Sequence, residues 1–256
     1  MPAPVNLFKK ALSNGNTLFG CWMSIGESYT AEIMGCAGFD WLLIDSEHAP
    51  NDVRSIRDQL MALERIDSQA FVRVTFGETW IIKLMLDLGA QTLLVPIVET
   101  GEQARELVKA CHYPPKGIRG VGYSSSRAGG FGQYENYGPT ADDQICLLVQ
   151  VETKLGLENL DEILAVDGVD GVFIGPADLS ASFGYLGQTS HPEMTKTILN
   201  ALKRISESGK AAGILTTDDK MIKASLEAGA RFIAVAMDVA LLLESGKSAA
   251  RKWKDG

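Results

Sequence analysis

The chain has 256 residues, 46% of them hydrophobic and 22% charged, with 24 Lys and Arg against 32 Asp and Glu. That composition supports a sizeable buried core, and no apolar run is long enough to span a bilayer, which excludes a membrane protein. A formal charge of −8, with no basic cluster larger than Lys9–Lys10 or the RKWK tail, argues against a nucleic-acid partner and leaves small molecules as the expected ligands.

The start, MPAPVNLFKKALSNG, lacks the apolar segment and small-residue cleavage site of a secretory signal and reads as an amphipathic helix stopped at Gly15, so a cytoplasmic address is expected. From there short β-like runs alternate with helical segments about eight times. Strands are expected at 17–23, 40–44, 70–74, 92–95, 145–151, 171–174, 211–215 and 232–235. Helices are expected near 29–36, 53–65, 80–88, 102–111, 157–165, 192–208, 218–228 and 239–254. Three junctions, CAGFDWLLI, DLGAQTLLV and EAGARFIAV, pass from helix to strand through Gly38, Gly89 and Gly229, each suited to a left-handed position. Eight β/α units in ~250 residues have the size and order of an α/β (β/α)8 TIM barrel, with a doubly wound open sheet as the alternative. No linker or low-complexity tract marks a boundary, so one domain over residues 1–256 is expected. Residues 112–143 are glycine-rich, aromatic and too long for an ordinary connection; they read as either a subunit contact or a segment that rises to cover the site.

Cys21, Cys36, Cys111 and Cys146 are far apart with no CxxC spacing, so neither a zinc knuckle nor a disulfide framework is expected. The chemistry collects instead at the strand ends. The second strand closes with Asp45, Glu47 and His48, the third carries Arg73, the fifth ends at Gln150 and Glu152, and the sixth runs into Gly175, Pro176, Ala177 and Asp178. In a barrel those carboxyl ends converge on one face. Glu152 and Asp178, held close, would repel unless a divalent cation lay between them, while the plainer reading makes them separate helix caps. With His112 and His191 in Pro-containing turns, oxygen ligands favour Mg²⁺ or Mn²⁺ over zinc. Arg73 in an apolar run needs an anionic partner, either a ligand oxygen or a neighbouring acid in a structural pair. His48 is the natural general base, set against the reading of an exposed loop histidine; Asp45 and Glu47 are expected to shape its loop.

The stretches DSEH at 45–48, FVRV around Arg73, QVET at 150–153, GPADLS at 175–180 and KGIRGVG at 116–122 resemble the HpcH/HpaI aldolases, nearly end to end. That resemblance implies a (β/α)8 barrel with a domain-swapped C-terminal helix, a homohexamer built as a trimer of dimers, and metal-dependent retro-aldol cleavage of a 4-hydroxy-2-oxoacid to pyruvate and an aldehyde. It implies Glu152 and Asp178 as ligands of Mg²⁺ or Mn²⁺, with Co²⁺ as a further candidate. It makes Arg73 the group that stabilises the enolate and His48 the proton acceptor, acting through a metal-activated water. Gln150, Gly175, Pro176, Ala177 and Asp178 match substrate-binding positions, and Asp87 the acid that raises the basicity of the histidine. Because Asp87 closes the third helix of the repeat, at the bottom of its own barrel, it is expected to serve a neighbour's His48. Trp22 and Leu215 are expected to select the aldehyde half. An acyl-CoA lyase of the citrate lyase β or malyl-CoA lyase type and a non-catalytic metabolite-binding barrel are the alternatives.

Overall fold

In the computed structural model, which describes residues 1–254, eight parallel strands close into a barrel in chain order, the last pairing with the first. The strands are β1 (Leu18–Met23), β2 (Trp41–Asp45), β3 (Gln69–Arg73), β4 (Thr92–Val95), β5 (Cys146–Val151), β6 (Gly171–Ile174), β7 (Ala211–Leu215) and β8 (Ala230–Met237). The helices are α1 (Leu7–Ser13), α2 (Ser28–Gly35), α3 (Val53–Ala62), α4 (Thr79–Asp87), α5 (Gly101–Cys111), α6 (Tyr137–Ala141), α7 (Lys154–Glu158), α8 (Leu160–Leu164), α9 (Pro176–Ser182), α10 (Pro192–Glu207), α11 (Asp219–Glu227) and α12 (Asp238–Lys254). The TIM barrel expected from the alternation is therefore the fold, and the open sheet is not.

Strands β2 and β5 are buried at every position, which is why they read as continuous apolar runs: helices cover one face and the barrel interior the other. The interior is aromatic. Trp41 stacks on Phe71 with ring centroids 4.7 Å apart, and Phe232 and Phe173 fill the opposite wall. Space for them comes from Gly20 and Gly213, where a Cβ would overlap the rings of Trp41 and Phe232. Helix α1 closes the amino-terminal end, with Phe8 centred 4.2 Å from Phe71 and 5.9 Å from Phe232. Beside it the Asn6 amide donates to the carbonyls of Gln91 and Gln144 at 3.2 and 3.1 Å, tying the helix to the starts of β4 and β5. Gly38, Gly89 and Gly229 take φ of +87°, +99° and +96° just before their strands, as expected for those junctions.

Several elements differ from the expectation. The helix at 157–165 is two, α7 and α8, divided at Asn159, whose amide donates to Glu99 O at 2.9 Å. GPADLS forms α9, with Pro176 in its first turn, where a missing N–H costs nothing. Residues 112–143 do not rise over their own site. Ala128 N donates to Asp87 O at 3.1 Å and the Arg127 guanidinium to Leu88 O at 3.1 Å, while Tyr113, Tyr123 and Tyr137 cluster with Ala3. The segment thus packs on the face that α1 closes, opposite the carboxyl ends of the strands.

Helix α12 stands apart from the ring. Only Asp238 in it is buried, and its carboxylate accepts the N–H groups of Ser24 and Ile25 at 2.8 and 3.1 Å. Farther along, Leu241, Leu242 and Leu243 are 44%, 68% and 57% exposed. No helix among the described residues is long and apolar enough to cross a membrane.

Candidate active site

At the carboxyl end of the barrel a cavity of about 470 Å³ is lined by His48, Arg73, Gln150, Gly175, Pro176, Ala177, Asp178, Leu215 and Trp22, together with Asp45. Strand order alone assembles them: β1 contributes Trp22, β2 and its loop Asp45 and His48, β3 Arg73, β5 Gln150, β6 and α9 Gly175 to Asp178, and β7 Leu215. Of the residues singled out in the sequence, Glu152 does not line the cavity but is buried behind Gln150 and Gly175, and Asp87 is placed elsewhere altogether. It ends α4 on the opposite face, where its carboxylate lies 3.0 Å from Arg119 Nη2.

Asp45 organises one half of the cavity. It pairs in register with Arg73 across β2 and β3, and the guanidinium grips it twice, Nε to Oδ1 at 2.8 Å and Nη2 to Oδ2 at 2.6 Å. The Trp22 indole N–H donates to Oδ2 at 3.1 Å and the Glu47 N–H to Oδ1 at 3.0 Å. Burial alone would raise this carboxyl, but the Arg73 charge and these donors hold it below its ordinary range. Arg73 Nη1 lies 2.7 Å from Glu47 Oε2, and the guanidinium carbon 4.7 Å over the Trp22 ring. Arg73 is thus a buried structural pair and a wall of the cavity at once. Nε and Nη2 donate to Asp45, whereas Nη1 stands beside Glu47 Oε2 without a hydrogen bond, which leaves the two N–H groups of Nη1 able to donate to a ligand oxygen. His48 is held by its backbone while its side chain stays 65% exposed, with Nε2 3.9 Å from Glu47 Oε1.

Glu152 organises the other half. It is buried just beyond β5, accepting the Ile97 N–H on Oε1 at 2.9 Å and the Gln150 amide on Oε2. Burial pushes it up to about 7; the Ile97 and Gln150 donors oppose the rise, and the charges of Asp178 and Glu47 add to it. The Ile97 donor was invisible in the sequence because it is a backbone group. Its marker is conformational: φ is +54°, a left-handed value rare for a β-branched residue. Gly175 has no side chain for a related reason, since a Cβ there would overlap Glu152 Oε2.

The residues fit a hard divalent cation. Among the described residues no three His, Cys, Asp or Glu cluster as a ligand set; Glu152 and Asp178 are the two carboxylates available, and Mg²⁺-type ions can bind through one or two carboxylates with substrate and water supplying the rest. Beside them Gln150 Oε1 is buried without a hydrogen-bond partner, an acceptor that a bound ligand would satisfy. A cation would also offset the burial that raises Glu152 and the smaller contribution of the Asp178 and Glu47 charges.

A family model described as HpcH/HpaI aldolase/citrate lyase matches residues 18–245. The chain is 75% identical over its whole length, and over all of the relative, to a hydroxypyruvate/pyruvate aldolase of Roseobacter denitrificans. It is 49% identical over 99% of each chain to a 4-hydroxy-2-oxovalerate aldolase of Rhodococcus jostii. A crystal structure of an HpcH/HpaI aldolase/citrate lyase family protein from Burkholderia cenocepacia superposes with a TM-score of 0.93 at 39% identity, covering 97% of this chain and 99% of that one.

Proposed function

The chain belongs to the HpcH/HpaI aldolase/citrate lyase family, and from that premise we propose how this cavity performs carbon–carbon cleavage. The enzyme is an aldolase that splits a 4-hydroxy-2-oxoacid reversibly into pyruvate and an aldehyde. The observation carrying the mechanism is the pairing, in one cavity, of a fixed guanidinium with an exposed imidazole.

Glu152 and Asp178 would hold Mg²⁺ or Mn²⁺, with Co²⁺ as an alternative, and the ion would supply Lewis-acid chemistry. Gln150 and the backbone at Gly175 to Ala177 form the wall against which the 2-oxoacid binds, and Gln150 Oε1 can accept only from a donor such as the substrate hydroxyl or a water. His48 takes the C4 hydroxyl proton, the C3–C4 bond breaks, and its electron pair passes into the enolate, whose oxygen the two free N–H groups of Arg73 stabilise. The C4 carbon leaves as the aldehyde carbonyl, and protonation at C3 gives pyruvate. Trp22 and Leu215 face the departing half.

Within one chain Asp87 is engaged with Arg119 on the far face, with a side chain 21% exposed. We assign it to a neighbouring copy's His48, within a hexamer arranged as a trimer of dimers. The leucines exposed along α12 support a swap of that helix between copies. One barrel domain over residues 1–256 and a cytoplasmic address complete the proposal, the latter supported by four cysteines carried as free thiols. An acyl-CoA lyase would need several cations for the CoA phosphates, and the cavity lining carries one Lys or Arg, Arg73, which is buried and neutralised by Asp45 and Glu47.

The test is pyruvate release from a 4-hydroxy-2-oxoacid, coupled to lactate dehydrogenase, before and after chelation. Activity should vanish on chelation and return with Mg²⁺ or Mn²⁺. Undiminished turnover in chelated protein would refute the cation assignment, and absence of pyruvate under all conditions would refute the aldolase reading.

A further inference from the structure

A second cavity, of about 580 Å³, adjoins the site, and Pro176, Ala177, Leu215 and Met237 belong to the walls of both. Burial orders its remaining lining. Ile198 on α10 is fully buried and forms the floor, Met221 and Ala224 on α11 are half-buried together with the hydroxyl residues Thr195 and Thr216, and Thr189, Ser190, Thr217, Asp218 and Lys220 stand exposed at the mouth. Asp218 caps α11 by accepting the Met221 N–H at 2.8 Å. Its charge and that of Lys220 cancel, so the mouth does not reward an anionic tail. His48, Arg73 and Asp178 line the first cavity alone.

Resting on the aldolase reading above, we propose that this chamber receives the carbons of the aldehyde half beyond C4, and that the enzyme favours neutral aliphatic aldehydes of medium length over the smallest ones. The shared wall places the chamber where the bond breaks, and its apolar floor rewards methylene groups removed from water. Each methylene buried there should raise kcat/KM by about fourfold, as an upper value. Ala224 becomes a specificity residue for the known reaction, although it touches none of the reacting atoms.

The experiment measures kcat/KM for addition of pyruvate to acetaldehyde, butanal and hexanal by the cation-loaded enzyme. The wild type should gain at least about tenfold from acetaldehyde to hexanal, and Ala224→Phe should lower the hexanal-to-acetaldehyde ratio by at least about tenfold. Ala224→Leu, a small step for a helix, should give a partial fall and serves if the larger side chain prevents folding, which thermal melting checks. A flat chain-length profile in the wild type, or variants that scale both substrates equally, would overturn the chamber assignment and leave the aldolase reading intact. Failure to add pyruvate even to acetaldehyde would overturn both.

Discussion

Replacing Asp45 by Asn keeps the shape of the side chain and removes its charge. The Arg73 guanidinium would then lose its main counter-charge while remaining buried, and such removals cost about 3–5 kcal/mol. Asp45→Asn should therefore lower both Tm and kcat while leaving KM for the 2-oxoacid less affected, because Arg73 is asked to stabilise a charge that exists only in the transition state; a change confined to KM would contradict this. A second expectation concerns Glu152, which ionises near 7 in the folded chain and near 4.5 ordinarily. Between those values the folded chain keeps a proton that the unfolded chain has lost, so stability falls as pH rises, by up to about 3 kcal/mol. Cation-free protein should melt higher at about pH 5.5 than at about pH 7.5, and Mn²⁺ should remove the difference. An unchanged Tm across that interval without cation would refute it. The residue scale is also where sequence reading reached its limit: Arg73 announced the need for an acid, but Asp45 lies 28 positions away, and only strand register joins them.

Among the elements, the strands were the most legible, because burial on both faces leaves uninterrupted apolar runs that end sharply in polar groups. Helix boundaries were less so. Asn159 sits inside a helical pattern and breaks it through a tertiary bond to Glu99, and the short α9, which starts at Pro176, is not among the expected helices. The aromatic wedge of α1 could be recognised as amphipathic but not placed, since nothing local says which barrel mouth it enters. Its position yields a prediction. Phe8→Ala should cost about 3–5 kcal/mol by opening a cavity among Trp41, Phe71 and Phe232, measurable as a lower denaturation midpoint. Because the wedge lies at the end away from His48 and Glu152, kcat/KM of the folded variant should stay close to wild type; a large catalytic loss would mean that the plug also sets the site.

For the whole molecule, the proposed exchange of α12 would link folding to association. A helix exposing Leu241, Leu242 and Leu243 needs a cover, and one supplied by another copy makes stability depend on protein concentration. Replacing Leu242 and Leu243 by Ser should shift sedimentation toward smaller species and lower the Tm, whereas a concentration-independent Tm in the wild type would argue against a shared helix. The closed base has a different consequence. With Phe8 packed into one end of the barrel, nothing passes through the base, and substrates and products come and go at the carboxyl ends of the strands. On the proposed reading pyruvate is held against Gln150, and the aldehyde half faces the adjoining chamber with its own mouth at Thr217, Asp218 and Lys220. Either product can then leave without waiting for the other, and product inhibition by pyruvate and by the aldehyde should show no compulsory order; a strictly ordered pattern would contradict the chamber assignment.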